Sequence, residues 1–274
     1  MTRPSILVTG CSSGIGRDAA LTLAARGWQV VAATRQDKDR DALAAEGLAT
    51  TRIDYEDPDS IARGTAETLE ITGGRLDALY NNGAYAIPGA LEDLPVAGLR
   101  AIFDANLIGW HDLTRRIIPV MRRQGHGRIL MCSSVLGIVA TPWRGAYVAT
   151  KFALEGYTDA LRQELSDTPI RVVLIQPGPI GTPFRQNSAK QFEQWIDWQA
   201  SPRAAQYRDT LLKRLYAPEA PLQAPPAAVT RQILRALEAR NPRNRYRITP
   251  HTSAMEAARR LLPSGLLDRI LRRA

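Results

Sequence analysis

The sequence predicts an α/β fold, a doubly wound parallel sheet with helices on both faces. Three observations carry that expectation. Short β-branched runs alternate with longer helical patterns through roughly residue 250. A glycine-rich turn joins the first of those runs to the first helical pattern. Hydrophobic residues make up 45% and charged residues 23%, an ordinary globular balance that excludes a disordered or fibrous chain. No linker interrupts the rhythm, so residues 1–250 read as one domain and 251–274 as a C-terminal extension.

Each element has its own signal. Ser5–Thr9 reads as a buried strand, and Ile15–Arg26 as a helix with Ala19, Leu23 and Ala24 on one face. Gln29–Thr34 is a second strand, Asp39–Glu46 a helix and Ala49–Asp54 a third strand. Asp57-Pro58 opens a helix that runs to about Ile71, with proline at a position that favours helix entry. Leu76–Tyr80 is a fourth strand, Val96–Arg123 a long helix and Arg128–Ser133 a fifth strand. Ala146–Leu165 is a second long helix and Arg171–Gln176 a sixth strand. A helix near Ala227–Arg240 and a short strand at Tyr246–Ile248 complete the series. Residues 183–224 break it with Phe184, Phe192, Trp195, Trp198, Tyr207, Tyr216 and several prolines, too long for an idle connection and expected to form a lid.

The 274 residues contain two cysteines, Cys11 and Cys132, too few for a disulfide framework, which points to a reducing compartment. There is no apolar run of about 18 residues to span a bilayer, and Ile6-Leu7-Val8 is too short for a secretory core. A cytoplasmic location is the expectation. The formal net charge of +9 is concentrated at one end: from Arg231 onward there are 11 arginines and three acids. Only four of the 36 cations are lysines, so a lysine at a chemically meaningful place stands out.

Thr9-Gly10-Cys11-Ser12-Ser13-Gly14-Ile15-Gly16 lies between the first strand and the first helix. Glycines allow a tight turn and close backbone approach, and free N–H groups at a helix start suit a phosphate. Position in a βαβ unit favours dinucleotide binding over a ligand-free turn. The second strand ends Ala33-Thr34-Arg35, with no carboxylate for a ribose 2′-hydroxyl. Arg35 can pair with a 2′-phosphate, or be a solvated loop residue. NADP(H) is therefore favoured over NAD(H). Asp54 either accepts from the adenine amino group or forms the turn before Asp57. Tyr147 and Lys151 are four apart on a predicted helix and share a face. An ammonium beside a phenol favours the phenolate, which makes a general acid or base for carbonyl and alcohol chemistry. No grouping of metal ligands stands out.

Together Thr9–Gly16, Asn81-Asn82-Gly83-Ala84, Ser134, Tyr147-x-x-x-Lys151 and Pro177-Gly178 occur in an order and spacing that resembles the short-chain dehydrogenase/reductases. Gly127–Leu165 is the closest stretch, and the hydroxysteroid and retinol dehydrogenase-like members are the nearest in character. The resemblance implies a Rossmann-type sheet and an oxidoreductase that acts on CH–OH groups. It implies Tyr147 as proton donor or acceptor, and Lys151 holding the nicotinamide ribose and lowering the tyrosine pKa. Ser134, thirteen residues before the tyrosine, would bond the reacting oxygen, with Ser133 as the competitor. Asn106 matches an asparagine that anchors a relay water. Gly10, Ser12, Ser13, Ile15, Gly16, Arg35, Asp54, Asn82, Pro177, Gly178, Ile180 and Thr182 fall at cofactor-binding positions. This chain has Asn82-Gly83-Ala84 where the family often has Asn-Ala-Gly; both residues are small, so close approach survives.

The segments that face substrate in the family offer Tyr85, Ile87, Leu136, Val139, Pro142 and Trp143 here, and the insert adds Phe184, Phe192, Trp195 and Trp198. No cluster of cations is evident among them, so a bulky apolar alcohol, ketone or aldehyde is expected. The alternative is that Trp195 and Trp198 only pack onto the body. A catalytically silent NADP(H) sensor or scaffold is the competing function, although all four catalytic positions are filled. The basic tail reads as a solvated or subunit-packing helix, or as a weak peripheral contact with anionic membrane. Nucleic acid is not expected, because basic and aromatic residues do not interleave. A homodimer or homotetramer through the two long helices is implied by the resemblance.

Overall fold

Five consecutive buried residues, Ser5–Thr9, form the central strand β1, as expected for a parallel strand covered on both faces. A computed structural model describes residues 3–217 and 223–272. β1 is joined by β2 (Gln29–Thr34), β3 (Ala49–Arg52), β4 (Ala78–Asn81), β5 (Gly127–Cys132), β6 (Ile170–Gln176) and β7 (Arg245–Arg247). All seven lie in one parallel sheet of order β3-β2-β1-β4-β5-β6-β7. Val8 faces Ala32 on one side and Tyr80 on the other, so the order reverses at β1/β4. Reversal leaves a crevice beyond the carboxyl ends of those two strands, where such sheets bind their ligands.

The crossover helices are α1 (Gly14–Ala25), α2 (Asp37–Ala45), α3 (Pro58–Ile71), α4 (Val96–Phe103), α5 (Gly109–Gln124) and α6 (Gly145–Glu164). In α3 the Asp57 carboxylate accepts from the N–H groups of Asp59 and Ser60 at 2.9 and 3.1 Å. The buried stripe of α5, Trp110, Leu113, Thr114, Ile117 and Met121, follows helical spacing, and Gly125 ends it at φ 76°. α1 packs against α10 (Pro226–Glu238), and α3 packs against α5.

Beyond shifts of one or two residues at the ends of several elements, the structure differs from the sequence reading as follows. The expected helix Val96–Arg123 is α4 and α5 joined by a π-helical stretch, Asp104–Ile108. β3 and β4 are shorter than expected, because Ile53 and Asp54 turn toward α3 and the fourth strand begins two residues late. The insert folds as α7 (Phe184–Trp195), α8 (Ala204–Gln206), a π-helical stretch Tyr207–Leu212 and α9 (Lys213–Leu215). Its proline-rich residues 218–222 lie outside the described residues. The tail forms α11 (Pro250–Leu261) and α12 (Ser264–Leu271), interrupted at Pro263.

Candidate active site

The turn after β1 is closely fitted. Gly10 has φ +67°, and a Cβ there would sit 2.6 Å from the Cα of Gly83. A Cβ on Gly14, at φ +58°, would meet Thr182 Cγ2 at 2.9 Å, and one on Gly16 would strike the Gly10 carbonyl oxygen. Only glycine fits these positions. The Asn82 N–H donates to Thr9 Oγ1 at 2.9 Å, and Asn82 Nδ2 donates to the Thr9 carbonyl at 3.1 Å. Tyr55 Oη donates to Thr9 Oγ1 at 2.8 Å and lies 2.9 Å from Asn81 Oδ1. Ser13 makes no side-chain cap on α1, whose first turn contains no acid. The helix start thus keeps its N–H groups and positive dipole end available to an anion.

Beyond β2, Thr34 is buried with its hydroxyl donating to the Gln36 carbonyl at 3.1 Å. Arg35 is half-exposed and lies 4.0 Å from Glu56. Lys38 supplies a second cation to the same cavity wall. Asp54 accepts from the Glu56 N–H at 3.1 Å through its carboxylate. Burial raises the Glu56 carboxyl pKa, Asp54 raises it further and Arg35 opposes them.

Tyr147, on the first turn of α6, is buried with its ring edge-to-face against Phe184, centroids 5.4 Å apart. Burial pushes its phenol well above the ordinary value near 10, while a hydrogen bond from Ser134 and the nearby Arg144 pull it down. Ser134, not Ser133, makes that bond; Ser133 Oγ is buried with no hydrogen-bond partner among the described residues. Ser134 Oγ also accepts from the Leu136 N–H at 3.1 Å. Lys151 Nζ donates to the Cys132 carbonyl at 2.7 Å and lies 4.5 Å from the Trp110 ring centroid and 5.5 Å from that of Tyr147. Burial pulls the Lys151 ammonium down to about 8. Burial is the largest influence on both groups, and Lys151 is not among the charges that act on the Tyr147 phenol here.

Asn106 is fully buried in the π-helical stretch and does not line the cavity. Its amide donates to the Tyr85 carbonyl at 2.8 Å and to Thr150 Oγ1 at 3.2 Å, and its Oδ1 accepts from the Tyr85 N–H at 3.1 Å. The side chain fixes the Tyr85 loop. On the other side, the Pro177 carbonyl accepts from the Val135 N–H at 2.8 Å, and the Ile180 segment pairs with Ala224. A Cβ on Gly178 would strike Thr249 Oγ1.

One cavity of about 1000 Å³ connects these groups. It is lined by Gly10, Ser12, Ser13, Ile15, Arg35, Asp54, Asn82, Ser134, Tyr147, Lys151, Pro177, Gly178, Ile180 and Thr182. Of the residues expected at the site, only Gly16 and Asn106 stand behind it. Tyr85, Leu136, Pro142, Trp143 and Phe184 line the substrate end; Ile87, Val139, Phe192, Trp195 and Trp198 are not among the described lining residues. Trp195 and Trp198 pack on the cluster around Phe192 and Tyr207, which confines their role to holding the insert. The expected absence of a cation cluster is also corrected, since Arg144, Arg185, Lys190 and Arg214 fold into this wall. Sequence reading missed Tyr55, Trp110, Arg144 and Glu56, none of which stands in a motif, and Thr150, which occupies an unspecified position within Tyr147-x-x-x-Lys151. It also missed that the tail reaches the cavity through His251 and Arg272.

A glycine cradle at the sheet's switch point, opening onto a buried tyrosine and lysine, defines a nucleotide-dependent oxidoreductase. The family model described as short chain dehydrogenase matches residues 4–193, and the chain belongs to the short-chain dehydrogenase family. It is 37% identical to the uncharacterized oxidoreductase YbbO of Escherichia coli strain K12, over 97% of this chain and 93% of YbbO. It is 35% identical to human retinol dehydrogenase 8 over 66% of this chain and 60% of that protein. A short-chain dehydrogenase from Streptomyces avermitilis superposes with a TM-score of 0.79 at 26% identity, covering 98% of this chain and 94% of the other. A Burkholderia phymatum family member, solved in complex with NAD, gives 0.80 at 23% identity over 98% and 95%, a likeness of fold.

Proposed function

We propose that the protein is an NADP(H)-dependent reductase of bulky, largely apolar aldehydes or ketones, the reverse oxidation using the same groups. The observation that carries this is Tyr147, buried between Ser134 and Phe184 at the bottom of a cavity whose other end is the glycine cradle. The glycine positions that a Cβ would fill fit a nucleotide, and the uncapped start of α1 fits its phosphates. Gly10, Ser12, Ser13, Ile15, Asn82, Pro177, Gly178, Ile180 and Thr182 would hold it, with Gly16 permitting the turn. When bound, the nicotinamide coenzyme supplies or accepts the hydride.

The chain's own residues handle the proton. Tyr147 donates it from Oη to the carbonyl oxygen, and a phenol held protonated by burial suits that direction. Ser134 stabilises the charge that grows on the same oxygen. Lys151 is poised near neutrality and holds positive charge beneath the ring of Tyr147 while the proton leaves. Asn106 acts as a positioning residue through Tyr85. Leu136, Trp143 and Phe184 exclude water from an apolar substrate.

Arg35 and Lys38 support NADP(H), since Thr34 stands where an acid would select the unphosphorylated ribose. Replacing Arg35 with Ala is expected to weaken NADPH binding about ten- to a hundred-fold and leave NADH almost unchanged, the loss of one charge-assisted phosphate pair. Equal effects on both coenzymes would remove this reading. Turnover of NADPH against aliphatic, aromatic, retinoid and steroid carbonyls tests the substrate class; a sensor would bind NADPH and reduce none. Exposed Leu261, Leu266 and Ile270 beside Arg260 and Arg269 support a weak contact with anionic lipid. A homodimer or homotetramer through α5 and α6 would be read by sedimentation velocity.

A further inference from the structure

Tyr147, Lys151 and Glu155 recur at every fourth residue of α6, so the carboxylate stands one helical turn beyond the lysine on the same face. The Glu155 side chain is only 13% exposed, and its two oxygens reach different strands. Gln176 Nε2, at the end of β6 and next to Pro177-Gly178, donates to Glu155 Oε1 at 2.9 Å. Arg245 Nε, in β7, donates to Glu155 Oε2 at 3.2 Å. Arg245 divides its guanidinium, since Nη2 donates to Asp159 Oδ2 at 2.6 Å. The stem of Glu155 meets the turn that follows Ser134: a Cβ on Gly137 would lie 3.2 Å from Glu155 Cγ and 3.1 Å from the Lys151 carbonyl oxygen. One side chain thus joins the segments that carry Ser134, Lys151 and Pro177.

Lys151 is buried, and its Nζ donates to the neutral Cys132 carbonyl. The Cys132 thiol of β5 and the Tyr147 phenol are pushed up by burial and stay uncharged near pH 8, and Trp110 of α5 contributes only its ring. Glu155 is then the negative charge that acts on the ammonium and opposes the cost of burying it. Charges withdrawn from water feel each other more strongly than solvated ones, so one carboxylate a turn away is felt.

Resting on the carbonyl-reductase reading above, we propose that Glu155 is a positioning residue of the reduction. Clamped by Gln176 and Arg245, it fixes the Lys151 turn of α6 against the Ser134 and Pro177 segments, and it holds negative charge beside the Lys151 ammonium while Tyr147 gives up its proton. Glu155 is not among the described cavity-lining residues, so it acts through Lys151 and not on the substrate.

Two variants separate charge from clamp. Glu155→Gln removes the charge and keeps the shape; Arg245→Met loosens the clamp and keeps the charge. The chain has four lysines, so carbon-13 labelling of lysine Cε leaves few signals, and that of Lys151 is the one absent from Lys151→Arg. NMR titration of the coenzyme-free full chain is expected to place the Lys151 midpoint at about 8. Glu155→Gln is expected to lower its proton affinity about three- to tenfold, whereas Arg245→Met leaves the midpoint where it was or raises it. An unmoved midpoint in Glu155→Gln, or an equal fall in both variants, would overturn the proposal. In NADPH-dependent reduction of a bulky aldehyde, the alkaline loss of kcat is expected to move down with the midpoint in Glu155→Gln; a profile that stays in place would also overturn it. If the unmodified protein reduces no carbonyl, the reductase reading falls, and the midpoint alone decides whether Glu155 holds the charge of Lys151.

Discussion

Lys151 has a buried ammonium, lowered to about 8, and hydrogen-bonded only to a neutral carbonyl among the described residues. Below about 8 it is charged in the folded and unfolded chain alike, and the fold bears the cost of burying that charge. Between about 8 and its usual 10.5 the folded chain gives up the proton first, so this residue's contribution to stability rises with pH. Lys151→Met lacks that gain. Denaturant titrations are expected to show the protein gaining on the order of 1–3 kcal/mol relative to the variant across this window. A difference that is flat with pH would mean the lysine is not desolvated. Trp143 is the other costly residue: it is the one non-glycine with positive φ among the described residues, 65°, and its ring rests on Tyr207 with centroids 4.8 Å apart. Its conformation is held by that contact and by Gly89, whose N–H donates to the Trp143 carbonyl at 3.0 Å. Strain of this kind gathers where a cavity wall must be fixed.

At the level of elements, α3 shows local sequence and tertiary position in agreement. Asp57 caps two N–H groups with Pro58 following it, and Asp57→Ala is expected to cost about 1 kcal/mol by urea denaturation while leaving coenzyme affinity unchanged. No loss of stability would show that the cap's hydrogen bonds are replaced by water at no cost. Such elements were legible because their signals are local: the apolar run of β1, the cap of α3 and the heptad-like stripe of α5 need no distant partner. The π-helical stretch at Asp104–Ile108 was not legible. It depends on Asn106 reaching Tyr85 and Thr150, contacts that exist only once three segments have come together. The motif residues were visible for a related reason. Gly10, Gly14 and Gly16 are forced by close backbone approach, and Tyr147 and Lys151 by helical spacing. Arg144 and Glu56 were not, because their meaning lies in which charges surround them after folding.

For the whole molecule, the tail is the least foreseen feature. Leu267 and Leu271 of α12 are buried against Ile138 and Val139, and Arg259 lies over the Phe152 ring, 4.7 Å from its centroid. The basic extension thus braces the loop that follows Ser134 and brings Arg272 to the cavity. Deleting the chain from Pro263 onward uncovers Ile138 and Val139 and is expected to raise KM for a bulky carbonyl about tenfold, the equivalent of roughly 60 Å² of lost apolar contact, with NADPH affinity retained. Unchanged KM would reduce the tail to a surface appendage. Salt-sensitive sedimentation with anionic vesicles, lost in the same deletion, would add a lipid contact to that bracing.

The account rests on Tyr147 moving the proton in an NADPH-dependent reduction, and single-turnover oxidation of bound NADPH by a bulky aldehyde tests it most directly. Tyr147→Phe is expected to bind NADPH as tightly as the unmodified protein and to oxidise it about 10²–10⁴-fold more slowly. Oxidation at an unchanged rate in the variant would contradict the account.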